Sequence, residues 1–328
     1  MMSWPEQVVR VQSLSESGIR AIPNQYIKPL TERPVLELGS QSDRRVDIPV
    51  IDLHNLFGND PILHLDTLIR ISTACRHWGF FQAVNHGVSH ELMRRARQVW
   101  RDFFNLPLQV KQEYANAPTT YEGYGSRLGV EKGAILDWSD YFFLHYLPVS
   151  LRNQSKWPEQ PSSCREVVAE YGCEVAKLCT TLLKAMSTDL GLKEKSFLAL
   201  GPGGVTILLP DRDVARLQVR KDGDWITVNP VPDSLIVMVG DQIQVMSNAI
   251  YTSVEHRVIA NSAKDGVSLA MFFNPKSDLV IKPAEELVSE ERPAVYDGMT
   301  FDQYRVHMRM KGPCGKARLE SLKFNSPK

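Results

Sequence analysis

Six short β-like runs between residues 205 and 273 constrain this chain more than any other feature. They lie at 205–209, 217–219, 226–228, 234–239, 254–258 and 268–273, with turn residues between them. Each is too short for an independent helix, and most are rich in Val and Ile. Short strands in series predict a sandwich or barrel. Such a unit commonly closes as a double-stranded β-helix, or jelly roll, whose mouth suits a small ligand.

The sequence before residue 200 has a different rhythm. Helical apolar spacing covers 66–78. Ser89 and Glu91 open a second helix that runs towards Phe104. The longest amphipathic pattern spans 161–190 and stops at Gly191. A short helix is expected at 8–15 within an irregular arm, 1–45. Runs at 48–53 and 79–84 predict buried strands, 121–125 a loop, and 138–147 a strand. Residues from 289 onward read as helical, ending at 300–310. The expected architecture is therefore mixed α and β. An α-rich N-terminal region (1–150) and a long helix on the core (151–200) precede a β-rich domain (201–328) with a C-terminal helix.

Lys+Arg and Asp+Glu balance at 38 each. A basic excess, the footprint of a nucleic-acid binder, is absent. No apolar run is long enough to cross a bilayer, and no signal peptide opens the chain, so a cytoplasmic protein is expected. The five cysteines follow no zinc spacing. Cys173 and Cys179 fall in the long helix and are expected to be buried, reduced thiols. Protein partners are not legible.

Four stretches carry a resemblance. They are Ile48-Pro49-Val50-Ile51-Asp52-Leu53, Trp78-Gly79-Phe80-Phe81-Gln82-Ala83-Val84-Asn85-His86-Gly87, Gly240 to Asn248, and Ser253-Val254-Glu255-His256-Arg257-Val258. Together they resemble the plant Fe(II)/2-oxoglutarate-dependent dioxygenases. Residues 121–140 and 299–322 resemble the jasmonate-induced oxygenase (jasmonic acid hydroxylase) branch. The resemblance implies Fe(II), 2-oxoglutarate, ascorbate as reductant, and jasmonic acid as substrate. Such iron is held by two His and one carboxylate on one face, with the opposite positions open. In this family a His-X-Asp on a strand supplies two ligands, since i and i+2 share a side. A distant His supplies the third. An Arg-X-Ser pair holds the far carboxylate of 2-oxoglutarate, a task suited to the guanidinium fork.

Against this pattern the chain is incomplete. His256 matches the distal metal ligand. Gly203-Gly204-Val205-Thr206 matches the run that follows His-X-Asp, but Phe197-Leu198-Ala199-Leu200-Gly201-Pro202 precedes it. The sequence reads as though several dozen residues were excised near 200–202. The β-helix should therefore lack about two strands. The chain's single His-X-Asp, His64-Leu65-Asp66, lies far upstream at the entry to a surface helix. Asp211 and Asp213 sit in a turn, where carboxylates usually serve as solvated caps. Ser268 matches the 2-oxoglutarate Ser, but Gly266 stands where its Arg is expected, with Lys264 nearby. Arg305 and Arg309, four apart on a helix, match implied substrate-carboxylate ligands. A basic stripe on a solvated helix explains them equally well. The aromatic group at Tyr121, Tyr124, Trp138, Tyr141, Phe142 and Phe143 fits a pocket lining or core packing.

The expectation is a family member whose Fe(II) and 2-oxoglutarate binding is weak or lost and whose catalysis is impaired. A non-catalytic jasmonate-type binding protein, an active oxygenase with a substitute metal site, and an unstable product stand as alternatives.

Overall fold

The computed structural model describes residues 9–33, 46–117, 120–126, 135–193, 197, 203–261, 263–311 and 315–324, with backbone alone at 31, 309–311 and 318. In chain order the first elements are α1 (Val11–Glu16), β1 (Val50–Asp52), α2 (Pro61–His77), β2 (Phe80–Val84), α3 (His90–Phe104), α4 (Leu108–Gln112), β3 (Gly123–Gly125) and β4 (Tyr141–Phe143). They are followed by α5 (Cys164–Asp189), β5 (Val205–Leu209), β6 (Leu217–Lys221), β7 (Asp224–Thr227), β8 (Leu235–Val239), β9 (His256–Val258) and β10 (Leu269–Phe273). Two compact units result. One comprises Met1–Leu36, Gln98–Glu170 and Arg305–Cys314, the other Glu37–Arg97, Tyr171–Tyr304 and Gly315–Lys328.

The second unit is built on a five-stranded sheet in the order β1-β2-β8-β5-β10. β8 is central, and all five residues of Leu235-Ile236-Val237-Met238-Val239 are buried. A strand covered on both faces needs no polar alternation. Next to it β5 alternates buried and half-buried residues along Val205-Thr206-Ile207-Leu208-Leu209, the period of a strand with one crowded face. A second sheet has the order β7-β6-β9. The β6–β7 hairpin turns on Asp222 and Gly223, with φ of 51° and 94°. That Asp-Gly pair supplies the two positive φ values that a two-residue hairpin demands.

The two sheets do not close into a barrel. Among the described residues β9 pairs only with β6 and β10 only with β5. Val258 on β9 is 65% exposed and Phe272 on β10 is 60% exposed. Unpaired apolar edges promote association. Phe272→Lys is expected to reduce concentration-dependent light scattering while shifting stability by less than about 0.5 kcal/mol.

After β2, the run Asn85-His86-Gly87 returns the chain towards α3. His86 is 2% exposed. Its Nδ1 accepts from the Val88 N–H at 3.2 Å, so Nε2 carries the proton and donates to the Asp233 carbonyl at 3.2 Å. The neutral ring is thereby fixed. Burial, and then the neighbouring His90, hold its pKa below the ordinary histidine value. Protons then bind the unfolded chain more readily. Stability from this ring is full above the unfolded pKa of about 6.5 and falls as pH drops below it. Urea midpoints are expected to be lower at acid pH than at neutral pH, with a smaller difference in His86→Gln.

In the first unit, Asp140 accepts from the Val11 and Gln12 N–H groups at 2.9 and 3.1 Å, anchoring the start of α1. It also accepts from the Tyr124 hydroxyl at 2.8 Å. Tyr124 is fully buried, and Phe103 and Phe142 meet edge to face at 4.9 Å. Trp138 packs on Tyr26 at 5.1 Å. Of the aromatic group, Tyr121 and Tyr124 are buried in the core, whereas Trp138, Tyr141, Phe142 and Phe143 are half-buried.

Several expected boundaries are corrected. Residues 123–125 form β3 rather than loop, because Gly123 and Gly125 let the strand pack tightly against Tyr114 and Tyr141. α2 begins at Pro61, capped by the Asp60 carboxylate, so it starts five residues before the apolar rhythm does. Residues 289–298 are irregular, and the C-terminal helix is Phe301–Lys311. Cys173 is exposed whereas Cys179 is buried. Six residues along a helix amount to about 600°, which separates the two faces by roughly 120°.

Candidate functional site

His256 and Ser268, the residues matched to metal and co-substrate ligands, both lie in the second unit. His256 opens β9 directly opposite Val219 of β6. Its ring is exposed, and its Nδ1 lies 3.3 Å from the Val254 carbonyl. The bulk of the surrounding protein and the charge of Lys316 nonetheless keep its pKa below the ordinary value.

Lys316 is held in place. Its Nζ donates to Asp241 Oδ1 at 2.8 Å and to Ser253 Oγ at 2.7 Å. Tyr304 Oη donates to the other Asp241 oxygen at 2.8 Å. Burial opposes ionisation of Asp241, but Lys316 and the two hydroxyls outweigh it and hold the carboxyl below its usual range. This network was not legible in the sequence, since its members lie 12 to 75 residues apart. Its effect on the imidazole is that of a neighbouring cation.

Iron does not fit the residues described. No group of three His, Cys, Asp or Glu side chains converges among them. His64 and Asp66 lie within α2, where i and i+2 point about 200° apart and cannot share a metal. Asp211 is buried, not solvated, and its oxygens are engaged. Oδ1 accepts from the Asp213 and Val214 N–H groups at 2.8 and 3.1 Å, and Oδ2 from the Val267 N–H at 2.8 Å. Asp213 is exposed. The break expected at 200–202 lies outside the described residues.

Ser268 is exposed just ahead of β10. Lys264 is also exposed, in a turn capped by the Asn261 side chain. The space beside Gly266 is filled by Arg216. A Cβ at Gly266 would lie 3.0 Å from Arg216 Cζ and 3.0 Å from its Nε. Arg216 gives no sequence signal, standing alone between a turn and a strand. Arg305 and Arg309 belong to the first unit and to the continuous helix Phe301–Lys311. Arg305 is half-buried, and the Arg309 side chain lies outside the described residues.

Comparison with known proteins gives the same ancestry from independent directions. Residues 48–160 match the N-terminal family of non-haem dioxygenases in morphine synthesis, and residues 197–275 match the 2OG-Fe(II) oxygenase superfamily. Jasmonate-induced oxygenase 4 of Arabidopsis thaliana is 51% identical, over 97% of this chain and 98% of that protein. This chain belongs to the 2OG-Fe(II) oxygenase superfamily. Jasmonate-induced oxygenase 2 of the same plant is 52% identical over 98% of this chain and 94% of its own length. A solved structure of JOX2 in complex with 2OG, Fe and JA superposes with a TM-score of 0.89 at 51% identity, covering 99% of this chain and 100% of that one. The mixed α and β oxygenase fold is thus established, with sheets that stay open here. The alignment to oxygenase 4 runs over 351 positions, yet 97% of these 328 residues is only about 318. Roughly thirty positions, 351 less 318, therefore have no counterpart in this chain.

Proposed function

We propose that this oxygenase is a jasmonate-oxygenase relative that has lost iron-dependent turnover. One observation carries the reading: among the described residues His256 belongs to no group of three His, Cys, Asp or Glu side chains able to hold a metal. Its strongest charged neighbour in effect is the Lys316 ammonium, which repels a divalent cation. In the family, iron and 2-oxoglutarate together supply oxygen activation. Here, water would have to fill the positions of the missing ligands, so Fe(II) gains little on leaving solvent. Ascorbate then has no bound iron to keep reduced. Anaerobic Fe(II) addition followed by gel filtration and metal analysis is expected to leave far less than one equivalent on the protein. One equivalent retained would defeat the reading.

A second reading, retention of a jasmonate-type carboxylate ligand, is favoured by one feature. The helix bearing Arg305 and Arg309 is intact, and Arg305 is half-buried rather than extended into water. Metal-free calorimetry with jasmonic acid tests it, and loss of the heat in Arg305→Gln is the expected result. No helix among the described residues is long and apolar enough to cross a membrane, and a cytoplasmic location is part of the proposal. So is the division of the chain at 1–150, 151–200 and 201–328, which limited proteolysis would test.

A further inference from the structure

We infer that Arg216 takes over the place of the cation missing at Gly266 and makes this chain a binder of a five-carbon dicarboxylate such as 2-oxoglutarate. The inference rests on the proposed reading to this extent: the loss concerns iron, and the co-substrate's carboxylate pocket persists without it.

Extending a side chain from Gly266 leads directly into the Arg216 guanidinium, 3.0 Å from the first carbon at both Cζ and Nε and 3.2 Å at Nη2. Two segments, 50 residues apart in sequence, therefore bring one planar cation against the position that lacks one. Glycine is what permits this. Any larger residue at 266 would displace the guanidinium.

The arrangement is also held. Buried Asp211 grips both segments with one carboxylate. Oδ1 fixes Val214, two residues before Arg216, and Oδ2 fixes Val267, next to Gly266. The Arg216 carbonyl accepts from the Ile259 N–H at 2.9 Å, which ties its backbone to the end of β9, three residues beyond His256. On the guanidinium itself, Nη2 donates to the Lys264 carbonyl. Nε is buried and has no partner among the described residues. A buried, unanswered N–H on a fork-shaped cation is a place for a carboxylate oxygen. Ser268, two residues from Gly266, is exposed and offers a hydroxyl on the same segment. Lys264 is exposed, and it is its backbone carbonyl that meets Arg216.

The test uses the full chain with a chelator present, so that metal plays no part. Calorimetric titration with 2-oxoglutarate is expected to give binding that weakens at least tenfold in Arg216→Ala. The double variant Arg216→Ala/Gly266→Arg, which returns the cation to the strand, is expected to recover to within a fewfold of wild type. 2-Oxobutyrate, which lacks the distal carboxylate, is expected to bind wild type no better than it binds Arg216→Ala. Arg216→Gln, which keeps a donor for the Lys264 carbonyl, serves if the alanine variant does not fold. Equal titrations by wild type and a folded Arg216 variant would overturn the assignment. So would absence of 2-oxoglutarate binding by wild type. Neither result touches the loss of turnover, which falls only if the chain retains iron or forms product.

Discussion

Supplied with Fe(II), 2-oxoglutarate, ascorbate and jasmonic acid, the purified chain is expected to release neither hydroxylated jasmonate nor jasmonate-dependent succinate. The size of the deficit follows from the ligands. Losing an outer partner of a metal ligand already costs about 10- to 100-fold in affinity or activity. Losing two ligands outright then puts turnover at least ~10⁴-fold below that of an intact relative. Mass spectrometry of both products against a metal-free control reads this directly. Hydroxylated product above the control from folded protein would mean that a ligand set exists which the described residues do not reveal. The converse experiment has the larger dynamic range. Inserting the strands that carry His-X-Asp in a jasmonate-induced oxygenase between Leu200 and Pro202 is expected to restore stoichiometric iron. The same insertion should cover Val258 and Phe272, so solubility and metal content are expected to rise together.

Gly79→Ala is expected to be the most damaging single methyl in the second unit. Gly79 has φ of +71°, and a Cβ there would lie 2.5 Å from the Thr252 carbonyl oxygen and 2.8 Å from the Val254 nitrogen. Both contacts are backbone, so no side chain can swing aside. The left-handed conformation costs about 1–2 kcal/mol for a residue with a Cβ, and forced overpacking about 1–3 kcal/mol more. A loss of about 2–5 kcal/mol is the sum, a large part of a typical domain's stability. Gly18→Ala is the control, since its φ is also +71° but nothing lies within 4 Å. It is expected to show only the conformational part. Urea midpoints of the two variants separate the terms. The clash also pushes on the segment that leads into β9, so the His256 ring resonance is expected to shift in Gly79→Ala and not in Gly18→Ala. Similar losses in both variants would remove the close approach as the cause.

The strands were legible because a strand advertises itself locally. The apolar runs at 205–209 and 234–239 became β5 and β8 with little change of boundary. The expected strand at 138–147 shrank to Tyr141–Phe143, and the expected strand at 254–258 to His256–Val258. In each case only the residues that found a partner strand kept strand geometry, and apolar rhythm does not report partners. The helix Asp241–Met246 passed unnoticed because its six residues are too few to establish a period. Residues 289–298 hold no helix because Pro293 has no N–H and disfavours helix at Arg292, and the buried Tyr296 pairs with Lys323 instead.

The sequence by itself determined the family, the α-rich then β-rich order of the chain, the single His256 in its Glu-His-Arg-Val setting and the Gly at 266. These are properties of consecutive residues, and consecutive residues fix backbone preference and side-chain period. The tertiary structure alone decided that Asp211 is a buried clamp, that Lys316 stands as a cation near His256, and that Arg216 fills the space beside Gly266. Those facts depend on which loops meet once the ladders are in register. Strand register is set by pairing over long separations, and no local pattern encodes which side chain will arrive opposite a glycine 50 residues away.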